Sequence, residues 1–486
     1  AAIWTRSAGA RWRQGTRSVE ARIPLALEDM SGAACDETSG HLLKHHLATW
    51  KEEGDGMGLP DEGKVNTVTS PLAKAWPDML FKNPDELVAG HIILNDSKAA
   101  LRPNHLKPGC VRANACRKIF WDPKEVKAAI ATCGGLCPGL NSIIRGVTNN
   151  LWFQYGVRDI YGMQAGYNGL ADPVTFEPIK LTPDYVGDIH MKGGSVLKAG
   201  RGGFDAEKIL DSMKKLGVNM VFLVGGDGTQ FAGNLLYQAA LKREQKISIV
   251  GIPKSIDNDV VMFDKTFGFD SAVAEAADVI RNGWVEASSA AKGVGIVKLM
   301  GRDAGFVAMF AALASDIVDL CLIPEVEVKL EDILEHVGKT VERKGFCVIA
   351  VAEGAGQSFV ATGKRDATGH TIYGDIGTFL RDKVNEYMKP KGGRSFYIDP
   401  SYIIRSAPVR PIDHTFCSRL SIDAVHAAMR GYTGVCVGPV HDIVVILPSK
   451  LIASGKKTVN TKRSAWQTCV QACGMPHQLA GYSAAR

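Results

Sequence analysis

The chain has 486 residues, 57 Lys plus Arg against 51 Asp plus Glu, and a hydrophobic fraction of 45%. That length supports two or three domains with their own cores, and the composition excludes a disordered or fibrous chain. A net charge of +6 gives no ground for a nucleic-acid partner, and no apolar run is long enough to span a bilayer.

The first residues are basic: Arg6, Arg11, Arg13, Arg17 and Arg22 are accompanied only by Glu20. An Arg-rich, acid-poor start reads either as an organelle transit segment or as a basic tail. Residues 1–120 read as an N-terminal arm, with a short helix over 41–50 and a Gly- and acid-rich loop over 54–63. Eleven cysteines form no CxxC pair. Cys133 with Cys137, and Cys469 with Cys473, are four apart but lack the second pair a zinc site needs. They read as reduced, mostly buried thiols, with a redox-regulatory pair as the alternative.

From residue 127 the pattern becomes that of alternating strands and helices. KAAIATC (127–133) reads as a buried strand, GGLCPGLN (134–141) as a tight turn, and 142–155 as a helix. A Gly-rich turn between strand and helix suits phosphate, because glycine admits close approach and the free N–H groups favour an anion. The same turn could serve packing alone. Neither GxGxxG nor GxxxxGK[ST] occurs. KGGSVLKAGRGG (192–203) presents Arg201 between glycines, as a solvated loop residue or as a phosphate contact.

Residues 221–259 form a strand-turn-helix-strand unit. VFLVGGDGTQ ends an apolar strand at Asp227; a helix is predicted over 231–242; IVGIPKSIDND ends a second strand at Asp257 and Asp259. Ligands of open α/β sheets bind beyond the carboxyl ends of the strands. Asp227 admits two roles, helix N-cap or Mg²⁺ carboxylate. Asp257 and Asp259 share one face of an extended segment, and their repulsion calls for a cation or a proton, unless the cluster is only an Asx turn. Lys254 is adjacent.

Further on, helices are predicted over 267–286, 304–314, 330–343 and 413–430. Strands are predicted over 293–299, 318–323 and 346–351, and two short ones within 434–447. Arg302 and Glu353 fall just after strand ends. The tail from 449 is basic and loosely patterned. The number of βα units predicts an α/β fold of two Rossmann-like, three-layer α/β/α lobes around a cleft, with an N-terminal extension. The expected division is 1–120 arm, 121–448 core and 449–486 tail. Within the core, about 121–260 plus C-terminal returns form one lobe and about 261–430 the other.

The motifs GGLCPGLN (134–141), GGDGT (225–229), PKSIDND (253–259), MGRDAG (300–305), AEGAGQ (352–357) and PSYIIR (400–405), in this order, resemble the ATP-dependent 6-phosphofructokinases. The long arm resembles the plant and protist branch. GGDGT alone also occurs in lipid and NAD kinases, whose resemblance stops there. The resemblance implies transfer of a phosphoryl group from MgATP to the 1-hydroxyl of fructose 6-phosphate, by a homotetramer or dimer. It implies Asp257 as general base with Arg302 beside it as the second catalytic residue, and Asp227 as the Mg²⁺ carboxylate. Gly134, Gly135, Arg201, Gly202, Gly226, Asp227, Gly228 and Thr229 match the ATP loops. Ser255, Ile256, Asp257, Asp259, Met300, Gly301, Arg302, Glu353, Tyr402 and Arg405 match the sugar-phosphate site. The compartment implied is the cytoplasm, with the plastid stroma as the alternative set by the Arg-rich start.

Two bacterial phosphate-binding arginines are not matched. Their positions hold Gly293, beside Lys292, and Phe396, near Arg394. The donor turns on two residues. Lys254 resembles the pyrophosphate-using relatives, whereas Gly228 leaves room for the α-phosphate of a nucleotide where those relatives carry Asp. Gly228 favours ATP. The other readings are a pyrophosphate-dependent enzyme and a non-catalytic regulatory subunit; the presence of Asp227 and Asp257 argues against the latter.

Overall fold

The computed structural model describes residues 68–75, 81, 87–89, 109–361, 363 and 372–481. The predicted helix over 41–50, the loop over 54–63, the basic start and Cys35 lie outside the described residues. The strands, in chain order, are β1 (Val68–Thr69), β2 (Leu87–Ala89), β3 (Gly109–Arg112), β4 (Lys118–Ile119), β5 (Lys127–Thr132), β6 (Asp159–Met163), β7 (Ile179–Lys180), β8 (Met220–Gly225), β9 (Ser248–Pro253), β10 (Gly293–Leu299), β11 (Leu320–Leu322), β12 (Cys347–Ala352), β13 (Arg394–Ile398), β14 (Val435–Val440) and β15 (Ile443–Pro448).

Nine strands form a large sheet in the order β2-β3-β15-β14-β9-β8-β5-β6-β7. Its centre, β14 through β6, is parallel, and both margins are antiparallel. Strands β8 and β9 are buried along their whole length, as expected where helices cover both faces. Alternate residues feed the two faces. Ala128, Ile130, Phe222 and Val224 pack with Leu140, Ile143 and Leu420 on one side. Ala129, Ala131, Val221 and Leu223 pack with Ile209, Met213 and Leu236 on the other. Helices Leu140–Asn149 and Pro411–Arg430 cover the first face; Ala206–Leu216 and Asp227–Lys242 cover the second.

A second sheet, β11-β12-β10-β13, is fully parallel. Helices Phe269–Ser288, Leu330–Lys344 and Ile376–Met388 pack on it. The apolar core on the first face of the large sheet continues into this smaller lobe, taking in Ile296, Ile349 and Val348. Two α/β lobes are therefore present, as the sequence predicted.

The ends of the chain differ from the expectation. Part of the segment read as an arm contributes β2 and β3 to the edge of the large sheet. The helix Pro411–Arg430 packs on Leu140–Asn149 and β9, so the chain has returned to the large lobe by residue 411 rather than after 430. The loosely patterned tail forms helices over Ser449–Ile452 and Ser464–Cys473. Ser449–Ile452 packs against Asp227–Lys242 in the large lobe, and Ser464–Cys473 packs against Phe306–Ser315 and β11 in the small one. Residues 453–463 thus cross from lobe to lobe as a strap.

Candidate active site

In-register pairing brings the predicted loops together. Thr132 pairs with Val224, and Gly225 with Pro253, so the loops after β5, β8 and β9 emerge side by side. In the small sheet Leu299 pairs with Ala352, and Val297 with Ile398, which aligns the loops after β10, β12 and β13. The two groups of loops meet: the backbone N–H of Arg302 donates to Asp257 Oδ2 at 3.4 Å.

On the large-lobe side, Gly134 adopts φ +85° and Gly202 φ +75°, conformations that favour glycine. Lys254 Nζ donates to the Gly135 carbonyl at 3.0 Å. The Arg201 guanidinium lies 3.6 Å from where a Cβ on Gly135 would stand. Gly134, Gly135, Arg201 and Lys254 therefore form one rim. The helix after β8 begins at Asp227, with Gly226 in the cap position, so Asp227 is not the N-cap of a helix starting at 231. Its carboxylate accepts from Gly228 N–H at 2.8 Å and is 42% exposed. A Cβ on Gly228 would meet nothing within 4 Å. Thr229 is buried, and its side chain packs against Gly225 rather than facing the rim.

Asp257 sits at the junction of the lobes. Burial pushes its carboxyl up to about 7, aided by the charges of Asp259 and Glu353; the Arg302 N–H and Lys456 pull the other way. Asp259 accepts from Ser255 Oγ at 2.5 Å. Ile256 is buried. The hydroxyl of Thr266 donates to the Ser255 carbonyl at 2.7 Å, and its backbone N–H to Asn258 Oδ1 at 3.1 Å, which holds Asn258 at φ +55°.

On the small-lobe side, Gly301 takes φ +133°, and a Cβ there would fall 2.8 Å from the Ala304 carbonyl oxygen. The guanidinium of Arg302 stands 5.0 Å from the centre of the Tyr373 ring. Burial raises the Glu353 carboxyl, against the pull of Lys298, Arg302 and Arg405. The guanidinium of Arg405 lies 5.1 Å over the Tyr402 ring. Met300 and Ile256 are in the apolar core, Thr229 is buried, and Tyr402 is 81% exposed.

Lys292 and Arg394, the basic residues near the two unmatched positions, stand at the amino ends of β10 and β13. Six strand steps along β10 and four along β13, about 20 Å and about 13 Å, separate these ends from the cleft loops of their own lobe. Lys292 Nζ donates to the Lys391 carbonyl at 2.8 Å.

Sequence reasoning missed five contributors. Lys456, from the strap, is paired with Asp303 and lies 3.9 Å from Asp259 and 4.0 Å from Asp227. Tyr373 donates its hydroxyl to Asp303 at 2.9 Å. Lys298 and Asp399 form an ion pair at 2.8 Å near Glu353. Asp303 lies within MGRDAG and Asp399 adjoins PSYIIR, and both were open to discovery on that ground; no local pattern marks Lys456 or Tyr373.

Ten described cysteines are free, nine of them buried. Among the described residues no group of three or more His, Cys, Asp or Glu is arranged to hold a metal ion, and no helix is long and apolar enough to cross a membrane.

The family profile described as Phosphofructokinase matches residues 127–428. The chain belongs to the phosphofructokinase family. Its similarity to "ATP-dependent 6-phosphofructokinase 5, chloroplastic" of Arabidopsis thaliana is 43% identity over 373 residues, covering 75% of this chain and 69% of that protein. "ATP-dependent 6-phosphofructokinase" of Entamoeba histolytica is 43% identical over 355 residues, covering 72% and 81%. Among solved structures, a pyrophosphate-dependent phosphofructokinase from Marinobacter aquaeolei superposes with a TM-score of 0.61 at 20% identity, covering 74% of this chain and 93% of that one. Phosphofructokinase from Saccharomyces cerevisiae gives 0.55 at 21% identity, covering 68% and 45%. These two likenesses bear on the fold alone, and both agree with the paired α/β lobes of this phosphofructokinase.

Proposed function

We propose that the chain transfers the terminal phosphoryl group of MgATP to the 1-hydroxyl of fructose 6-phosphate, giving fructose 1,6-bisphosphate and ADP. The observation that carries this is Asp257: a carboxyl raised to about 7, placed where donor loops and acceptor loops meet. A base poised near operating pH suits removal of a hydroxyl proton late in phosphoryl transfer. The names of the relatives support the same substrates. Gly134, Gly135, Arg201, Gly202 and residues 226–229 would line the nucleotide phosphates, the glycines by admitting close approach and Arg201 through its guanidinium. Arg302 and Arg405 would hold the sugar phosphate, because a guanidinium meets two oxygens at once. Glu353 would accept from sugar hydroxyls.

A single half-exposed carboxylate, Asp227, at the mouth of the donor loops fits Mg²⁺ that arrives with the nucleotide, since this ion is held by one or two carboxylates plus substrate phosphates. When bound, it would neutralise charge on the donor phosphates. The open space over Gly228 favours a nucleotide. Lys254, turned to the Gly135 carbonyl on the same rim, favours pyrophosphate as the second reading. A homo-oligomer, a tetramer or dimer, is the assembly proposed. The cytoplasm is the compartment proposed, with the plastid stroma as the alternative that the chloroplastic relatives support.

The test is a donor comparison on the purified chain with fructose 6-phosphate and Mg²⁺, following fructose 1,6-bisphosphate. Turnover with ATP and not with pyrophosphate is expected. Turnover with pyrophosphate alone would overturn the donor and leave the acceptor chemistry standing; silence with both would point to a regulatory subunit.

A further inference from the structure

The strap between the lobes carries a cation into the cleft. Lys456 reaches three carboxylates on three loops: Asp227 after β8, Asp259 after β9 and Asp303 after β10. The first two belong to the large lobe and the third to the small one. Its ammonium is not a loose surface charge, because the backbone on either side is fixed. Lys456 bridges to Val260, and Lys457 N–H donates to the Asp259 carbonyl at 2.7 Å. Lys457 Nζ, in turn, donates to Asn258 Oδ1 at 3.1 Å and to the carbonyls of Phe263 and Asp264 at 3.0 Å each. Two residues further, Val459 N–H donates to Glu325 Oε1 at 2.7 Å, and the same carboxylate accepts from Gly305 N–H at 3.0 Å, at the end of the Arg302 loop. The strap is thus pinned to the Asp257 loop at Lys456 and Lys457 and to the Arg302 loop at Val459, so Lys456 stands within the first of these anchors.

We propose that Lys456 is a positioning residue of phosphoryl transfer, the counter-charge that keeps Asp227, Asp259 and Asp303 together and so holds the donor loops and the Arg302 loop in the arrangement the reacting groups require. The inference rests on the phosphofructokinase reading above. Three carboxylates facing one point repel one another unless a cation stands among them. Asp227 orients the donor, Asp259 flanks the base, and Asp303 adjoins Arg302, so a loosening of this cluster displaces both reactants at once. Lys456 touches neither substrate in this role; it acts through the loops it joins.

The experiment compares wild type, Lys456→Met, Lys456→Arg and Asp303→Asn as full chains. Steady-state kinetics, thermal unfolding and backbone hydrogen exchange at residues 226–229, 257–259 and 300–305 are measured on each. Lys456→Met, which keeps the length and removes the charge, is expected to lower kcat about 10- to 100-fold, the range for a small misplacement of reactants, while KM for fructose 6-phosphate changes much less. Exchange in the three loops rises, and Lys456→Arg restores both readouts. An unchanged kcat in Lys456→Met overturns the inference. So does a loss that follows the unfolding temperature alone with no change in loop exchange. If Lys456→Met does not fold, Asp303→Asn carries the test: its kcat falls with faster exchange at 300–305, and a wild-type kcat overturns the inference. Inactive wild type would refute the functional reading on its own, while the exchange comparison would still report whether Lys456 ties the loops together.

Discussion

Gly228→Asp puts the donor assignment to a quantitative test. Gly228 is the second residue of the helix Asp227–Lys242, exposed, with ordinary backbone geometry and open space where a Cβ would stand. The substitution therefore costs no packing. A carboxylate in the first helical turn also meets the positive end of the helix dipole, and Asp replaces the poorest helix former but proline, so stability is expected to hold or rise slightly. Donor binding is another matter. The new carboxylate would stand beside Asp227 on the rim where the phosphates enter. Two like unit charges about 5–6 Å apart, at an effective dielectric between surface and bulk values, repel by about 1–3 kcal/mol. That corresponds to roughly 5- to 150-fold weaker MgATP binding. The assay is KM for MgATP and for pyrophosphate, with fructose 6-phosphate saturating, beside a thermal unfolding curve. KM for ATP should rise within that range, with unfolding unchanged and KM for fructose 6-phosphate nearly so. An unaltered KM for ATP in a folded variant would refute the placement of the nucleotide over Gly228.

Asp257 must be ionised to accept a proton, so kcat/KM is expected to be half-maximal near pH 7 and to fall about tenfold per unit below it; a profile flat between pH 5 and 8 would contradict this. Asp257→Ser should lower kcat by roughly 10²–10⁴-fold with sugar-phosphate binding retained. The stability effect has a definite sign. The folded carboxyl titrates above the unfolded one, so the folded state binds more protons between about pH 4 and 7 and loses stability as pH rises through that window. Asp257→Ser removes that loss, and its unfolding temperature at pH 8 should equal or exceed that of the wild type. Arg302→Ala should raise KM for fructose 6-phosphate by roughly 10- to 100-fold, the worth of a charged hydrogen-bonding group; an effect on ATP affinity alone would contradict its role.

Much of the site could be read from local sequence. Each of the six motifs follows an apolar stretch of strand length or opens a helix, and glycine or proline marks where the backbone turns. Strand ends predicted at 299 and near 351 agree with β10 and β12. The helix after β8 starts at Asp227, four residues before the predicted 231: Gly228 and the polar residues around it lack helical periodicity, yet the free space and the N-terminal dipole let the helix start there. Met300 and Thr229 lie within motifs yet turn their side chains inward, since position in a motif does not fix which face a side chain takes.

The order of the motifs, the βα alternation and the placing of carboxylates at strand ends were determined by the sequence itself, because each depends on contacts between near neighbours. What only the tertiary structure decided is which distant segments share the cleft. Asp257 gains its raised carboxyl first from burial between lobes that no window of sequence contains, then from the neighbouring Asp259 and from Glu353, 96 positions away. Lys456 stands in a stretch with no periodicity, and its partners lie in three loops on two sheets. Its role follows from the path of the strap across the lobes, a path set by packing at both ends and by the hydrogen bonds of Lys457 and Val459 along it.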